Sequence, residues 1–151
     1  MKTSEFKDFT LPMPQNGQYE IEIIDCTELL GKKPDENNEC SSGLSFNFCI
    51  SGPETAAMND GTSAIGHAFK QNFWRPRQSL KDSKPKVANR MTNEIKRLLD
   101  GVFGDSISED VLESDWIGRK FIAYVTSAYD DYEGETVPKI NKVLTAKDLT
   151  R

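Results

Sequence analysis

Apolar and polar residues alternate along much of this chain, and the period of the alternation changes once. After Gly17 the run QYEIEIIDC sets Tyr19, Ile21 and Ile23 against Glu20 and Glu22. A period of two makes a strand with one buried and one wet face. The clearest case is LSFNFCIS, where Leu44, Phe46, Phe48 and Ile50 share one face and Ser45, Asn47 and Cys49 the other. A third strand is expected over Ala64–Trp74, carrying Ile65, His67, Phe69 and Phe73, with a bulge at Gly66. The spacing then turns helical. Val87, Met91, Ile95, Leu98, Leu99 and Val102 form one stripe behind Pro85, which the first turn of a helix tolerates, and Gly101–Gly104 closes it. Lys86, Arg90 and Arg97 fall on the opposite face.

Beyond the helix, Ser106 and Glu109 have capping-box spacing for a short helical piece over Ser108–Ser114. Trp116-Ile117-Gly118 turns the chain into a fourth strand, RKFIAYVTSAY, and the acidic loop Asp130–Glu135 leads to a fifth, TVPKINKVLTA. Pro138 suits an edge or first position in that strand. The segments between are polar. Residues 28–43 read as a loop between strands, residues 54–64 as a connection with an Asp60-Gly61 turn, and Arg75–Lys84 as a basic loop. Pro12 and Pro14 keep residues 1–16 extended, an arm whose Phe6, Phe9 and Leu11 are apolar enough to dock on the body. Residues 147–151 are a short polar tail.

Three strands, a helix and two strands give a mainly β domain over residues 17–146. That order is the plan of the OB-fold, a five-stranded Greek-key barrel with an amphipathic helix between strands 3 and 4. A five-stranded sheet of another topology carrying a packed helix fits the same string. At 151 residues the chain suits one domain with a proper core. No apolar run approaches the roughly 18 residues of a membrane span, and MKTSEFKDFTLPMP lacks a signal-peptide core. The expectation is a soluble cytoplasmic protein.

Charge sharpens the picture. Between Lys70 and Arg97 nine Lys or Arg face only Asp82 and Glu94, a surplus of seven positive charges in a protein of net charge -5. Phe69, Phe73 and Trp74 are interleaved with them. Cations among aromatic rings suit single-stranded nucleic acid, whose phosphates they neutralise and whose bases they stack on. Solvated surface is the ordinary use of such a basic stretch.

Other chemistry finds little footing. Cys26, Cys40 and Cys49 are odd in number and contain no CxxC pair; with His67 they match no common zinc spacing, so neither a disulfide framework nor a metal or other cofactor is expected. Phosphate-loop, nucleophile-elbow and zinc-protease motifs are missing, and His67 is the single histidine. Glu94-Ile95-Lys96 mimics a nuclease signature but falls on the expected helix. No enzyme is expected.

The run DWIGRKFIAYVTSAYDDYEGETVPKINKVLTA resembles the last hairpin of small phage-encoded single-stranded-DNA-binding proteins, and GQYEIEIIDC with GLSFNFCISG is similar to their first. The likeness spans about two thirds of the chain by pattern rather than invariant motif. It implies an accessory to phage DNA replication or recombination that coats single strands in the host cytoplasm. Many such proteins recruit partners through an acidic tail. This chain ends Lys147-Asp148-Leu149-Thr150-Arg151, which leaves tail-based recruitment unsupported.

The reading is therefore sequence-independent binding of single-stranded DNA, with RNA, self-association and replication or recombination partners left open. Trp74 leads the stacking candidates. One of Phe73 and Trp74 points to the core, and Tyr129 and Tyr132 flank the acidic loop. Lys70, Arg75, Arg77 and Lys81 are the first phosphate contacts, and Lys84, Lys86 and Arg90 the second; Lys120, Lys139 and Lys142 extend the track. The competing expectation is a protein-interaction module whose basic stripe docks an acidic partner.

Overall fold

The computed structural model describes residues 11–104, 110–131 and 134–149. Its centre is a five-stranded antiparallel sheet of β1 (Gly17–Leu30), β2 (Ser42–Gly52), β3 (Ala68–Arg75), β4 (Lys120–Asp130) and β5 (Glu135–Leu144). The strands lie in the order β3-β2-β1-β4-β5. Among the described residues four helical segments accompany them: α1 (Gln78–Ser83), α2 (Pro85–Phe103), α3 (Glu113–Trp116) and α4 (Ala146–Leu149). Among the described residues no helix is long and apolar enough to cross a membrane.

The alternating positions build the core. Ile21, Ile23, Phe46, Phe48 and Ile50 are fully buried. Phe46 stacks on Phe48 at 5.3 Å and meets Phe73 and Trp116 edge-on, while Phe48 meets Phe121 edge-on at 5.5 Å. A bulge between Ile23 and Asp25 leaves Ile24 exposed and returns the next apolar side chain, Cys26, to the inside. Burial there pushes the Cys26 thiol up to about 11, so it stays protonated.

The bulge explains the first departure from expectation. Beyond it Thr27–Leu30 pair with Ser42–Ser45, so both strands run longer and the polar excursion shrinks to residues 31–41. At the other boundary β3 starts late. Gly66 adopts a φ of 87° and donates its N–H to the Ile50 carbonyl, placing it in a turn before the strand rather than at a bulge within it. His67 follows, its carbonyl accepting from Ile50 N–H, and burial lowers its imidazole pKa.

α2 begins at Pro85 as the proline predicted, and buries Ala88, Leu98 and Phe103. Its C-terminal half lies close on β5. A Cβ on Gly101 would collide with Val143 Cγ1, so any larger residue there must displace the Val143 side chain. Arg97, placed by periodicity on the solvent face, is instead a tether. Its guanidinium donates to the Val143 carbonyl at 2.7 Å and to Asp148 at 2.6 Å. Residues 147–149 thus belong to α4, with Asp148 accepting from Thr145 at its start. Bonds from Thr145, followed by the Arg97 charge, hold the Asp148 carboxyl below its usual value.

The arm docks differently from expectation. Buried Pro14 bridges to Met58, and Asn59 N–H donates to the Met13 carbonyl, whereas Leu11 stays exposed. Phe6 and Phe9 lie outside the described residues, as does the Ser106–Glu109 capping box. The helical turn seen is α3, whose Asp115 carboxylate accepts from Leu112 N–H at 2.9 Å. α3 delivers Trp116 to the core, 2% exposed and edge-on to Phe103 at 4.9 Å. Pro138 sits mid-strand opposite Ser127 on the edge strand β5, where its missing N–H is tolerated.

Candidate nucleic-acid interface

The strand pairing that hides the phenylalanines also defines their opposite face. On the outer side of β1, β2 and β3 the register makes four rows: Glu22–Cys49–Ala68, Asp25–Asn47–Lys70, Thr27–Ser45–Asn72 and Leu29–Gly43–Trp74. The middle strand contributes only small or amide side chains, of which Asn47 is exposed and Gly43 and Ser45 are buried. At its end, Gly43 lies against the backbone of Phe73 and Trp74; a Cβ there would stand 2.3 Å from the Phe73 carbonyl oxygen. Trp74 at this end has 37% of its surface exposed.

The outer face is electrically graded. β1 brings Glu22 and Asp25, β2 is neutral, and β3 brings Lys70; Arg75 ends β3 with the parity of Phe73 and is exposed there. A polyanion is repelled at β1 and attracted at β3, which directs it along β2 and β3. Ser45, in the middle of this face, is buried with a hydroxyl that has no hydrogen-bond partner among the described residues. An orphan of this kind carries a desolvation cost in the folded protein.

Phe73 and Trp74 have opposite fates. Phe73 is 6% exposed and packs edge-on to Phe46 at 5.6 Å, so it is removed from the stacking candidates: its ring belongs to the core. Trp116 is core as well.

The expected basic loop Arg75–Lys84 is a helix in part, because α1 occupies Gln78–Ser83 and has no buried residue. The 31–41 loop holds it down. Glu39 accepts from Gln78 N–H at 2.8 Å, and Asp35 accepts from Ser79 Oγ at 2.6 Å. Arg77 Nε lies 3.9 Å from the same Asp35 carboxylate, half-buried. The Ser79 bond first, then backbone donation and the Arg77 charge, hold the Asp35 carboxyl below its usual value. Arg77 is therefore partly engaged, whereas Lys70, Arg75, Lys81, Lys84, Lys86 and Arg90 are exposed and form no ion pair among the described residues.

Other candidates lie apart. Lys120, on β4, is paired with Glu20 at 3.6 Å, and Lys139, on β5, with Asp130 at 3.2 Å. Lys139 does reach the outer side of β3 across a cleft of about 850 Å³ that also holds Lys70, Trp74, Asp130 and Glu135. Here the two edge strands approach, and Ile140 N–H donates to the Gln71 side-chain oxygen at 2.8 Å. Tyr129 is exposed at the end of β4 and does not line this cleft; Tyr132 lies outside the described residues. Sequence reasoning passed over Asn47, Asn72 and Gly43, although the same alternation that buried Phe46 and Phe48 assigns Asn47 outward.

The fold and this face define a mainly β protein with a graded outer sheet surface. No protein-family model matches the chain, and no curated protein sequence matches it.

Proposed function

We propose that the chain binds single-stranded DNA without sequence preference, along the outer face of β2 and β3. The observation that carries this reading is Trp74: an exposed indole on the face that bears Lys70, Asn47 and Asn72. Base stacking on an aromatic ring contributes about 1–3 kcal/mol and accepts any base. The charge gradient toward β3 supports the same path. The carboxylates of Asp130 and Glu135 in the β3–β5 cleft disfavour one running over β5.

We read the architecture as an OB-type barrel. The helix between β3 and β4, the pairing of β1 with both β2 and β4, and the Gln71–Ile140 contact between the edge strands support that reading. The role that follows is coating exposed strands during DNA replication or recombination, in the host cytoplasm for a phage gene. The test is charge reversal, Lys70→Glu with Arg75→Glu. Oligo-dT affinity should fall and the salt slope flatten by about 0.7 per lost phosphate contact. An unchanged slope would remove this face from consideration and favour docking of an acidic protein.

A further inference from the structure

Past Trp74 the face does not stop. A second cleft of about 300 Å³ opens between the end of β3 and the two helices, lined by Trp74, Arg75, Arg77, Leu80, Ser83 and Met91. It leads from the sheet to the α1–α2 hairpin. α1 has no buried residue, and the first half of α2 buries only Ala88, so this hairpin adds little to the core. What it adds is charge. Lys81, Lys84, Lys86 and Arg90 are all exposed, and no acidic residue occupies the first turn of either helix. Lys86 and Arg90 are four residues apart on one face of α2. Lys86 in the first turn of α2 opposes that helix's dipole, whereas Lys81 in the last turn of α1 suits its own. The distal half of α2 differs: there Arg97 is committed to Val143 and Asp148.

We infer that the α1–α2 hairpin is a second phosphate-binding surface for the same DNA strand, which leaves the sheet at Trp74, crosses the cleft beside Arg75 and continues over Lys81, Lys84, Lys86 and Arg90. This rests on the proposed binding along β2 and β3 and extends it to a footprint in two parts. The occupant is the phosphodiester backbone of a single strand. Charge complementarity and the continuity of the cleft with the Trp74 end of the sheet select it.

The test separates the two parts by strand length. Wild type and the variant K81Q/K84Q/K86Q/R90Q, all surface changes, are titrated with oligo-dT of about 6 and about 20 nucleotides, a range that brackets one such domain. Circular dichroism and thermal melting verify the variant's fold. The short strand should bind both proteins alike. For the long strand the variant should lose roughly tenfold or more in affinity at low salt, with its salt slope shallower by about two to three. An unchanged long-strand affinity and slope would overturn the second surface while leaving the sheet reading intact. Equal losses on both strands would also overturn it, by merging the hairpin with the first site. If wild type binds neither strand, both readings fall together.

Discussion

β2 and β3 carry two opposite chemistries on one backbone. Their inner face holds Phe46, Phe48, Phe69 and Phe73, each no more than 8% exposed; their outer face holds Ser45, Asn47, Lys70, Asn72 and Trp74. Neighbours in sequence, Phe73 and Trp74, differ in nothing that composition records. What separates them is parity: successive side chains of a strand point to opposite sides. One ring therefore stabilises the protein and the other is free for a ligand, and mutation can set the two roles against each other.

The inner face should give the largest effect. Phe73→Ala, or Phe46→Ala, should destabilise by about 3–5 kcal/mol in urea unfolding, the cost of a cavity in an aromatic cluster. Gly43→Ala comes next, since its Cβ would meet the Phe73 carbonyl at 2.3 Å. The strands must part to admit it, at about 1–3 kcal/mol, and DNA affinity should fall with stability because Trp74 shifts too. Trp74→Ala should reverse the pattern, with stability changed by about 1 kcal/mol or less and binding weakened by about 1–3 kcal/mol. Were Trp74→Ala as destabilising as Phe73→Ala, the separation of roles would be wrong.

The smallest effect is acid sensitivity of the 31–41 loop. The Asp35 carboxyl sits below its ordinary 3.8 in the folded chain. Its contribution is complete above that value and is lost as pH falls through the lower, folded value. Exchange protection of the Asn37 and Glu39 amides, which donate to Asp35 Oδ1, should therefore fall below about pH 4 in wild type. Asp35→Asn should abolish that dependence, and protection that stays constant across this range in wild type would show that the Asp35 carboxylate does not hold the loop.

Much of this was legible in the chain itself. Period-two alternation placed the inner residues of β2 and the strand face of β4, and helical spacing behind Pro85 placed α2. Less legible were features set by tertiary pairing. The Ile23/Asp25 bulge lengthened β1 and β2 beyond their apolar runs, and contacts with Asp35 and Glu39 accompanied a helix in a stretch that reads as polar loop. Partners distant in sequence also consumed charges. Arg97, Lys120 and Lys139 look as free as Lys70 in the sequence, yet Asp148, Glu20 and Asp130 face them in the fold. The choice between Phe73 and Trp74 needed the register with Leu44 and Gly43, which no local pattern supplies.

The most direct measurement is intrinsic tryptophan fluorescence during titration with oligo-dT at two salt concentrations. Trp116 is sealed in the core, so a change reports Trp74. The account predicts quenching that saturates, weakens at higher salt and disappears in Trp74→Phe. A flat signal in wild type, with no gel shift at low salt, would contradict it and leave the graded face as a surface for protein.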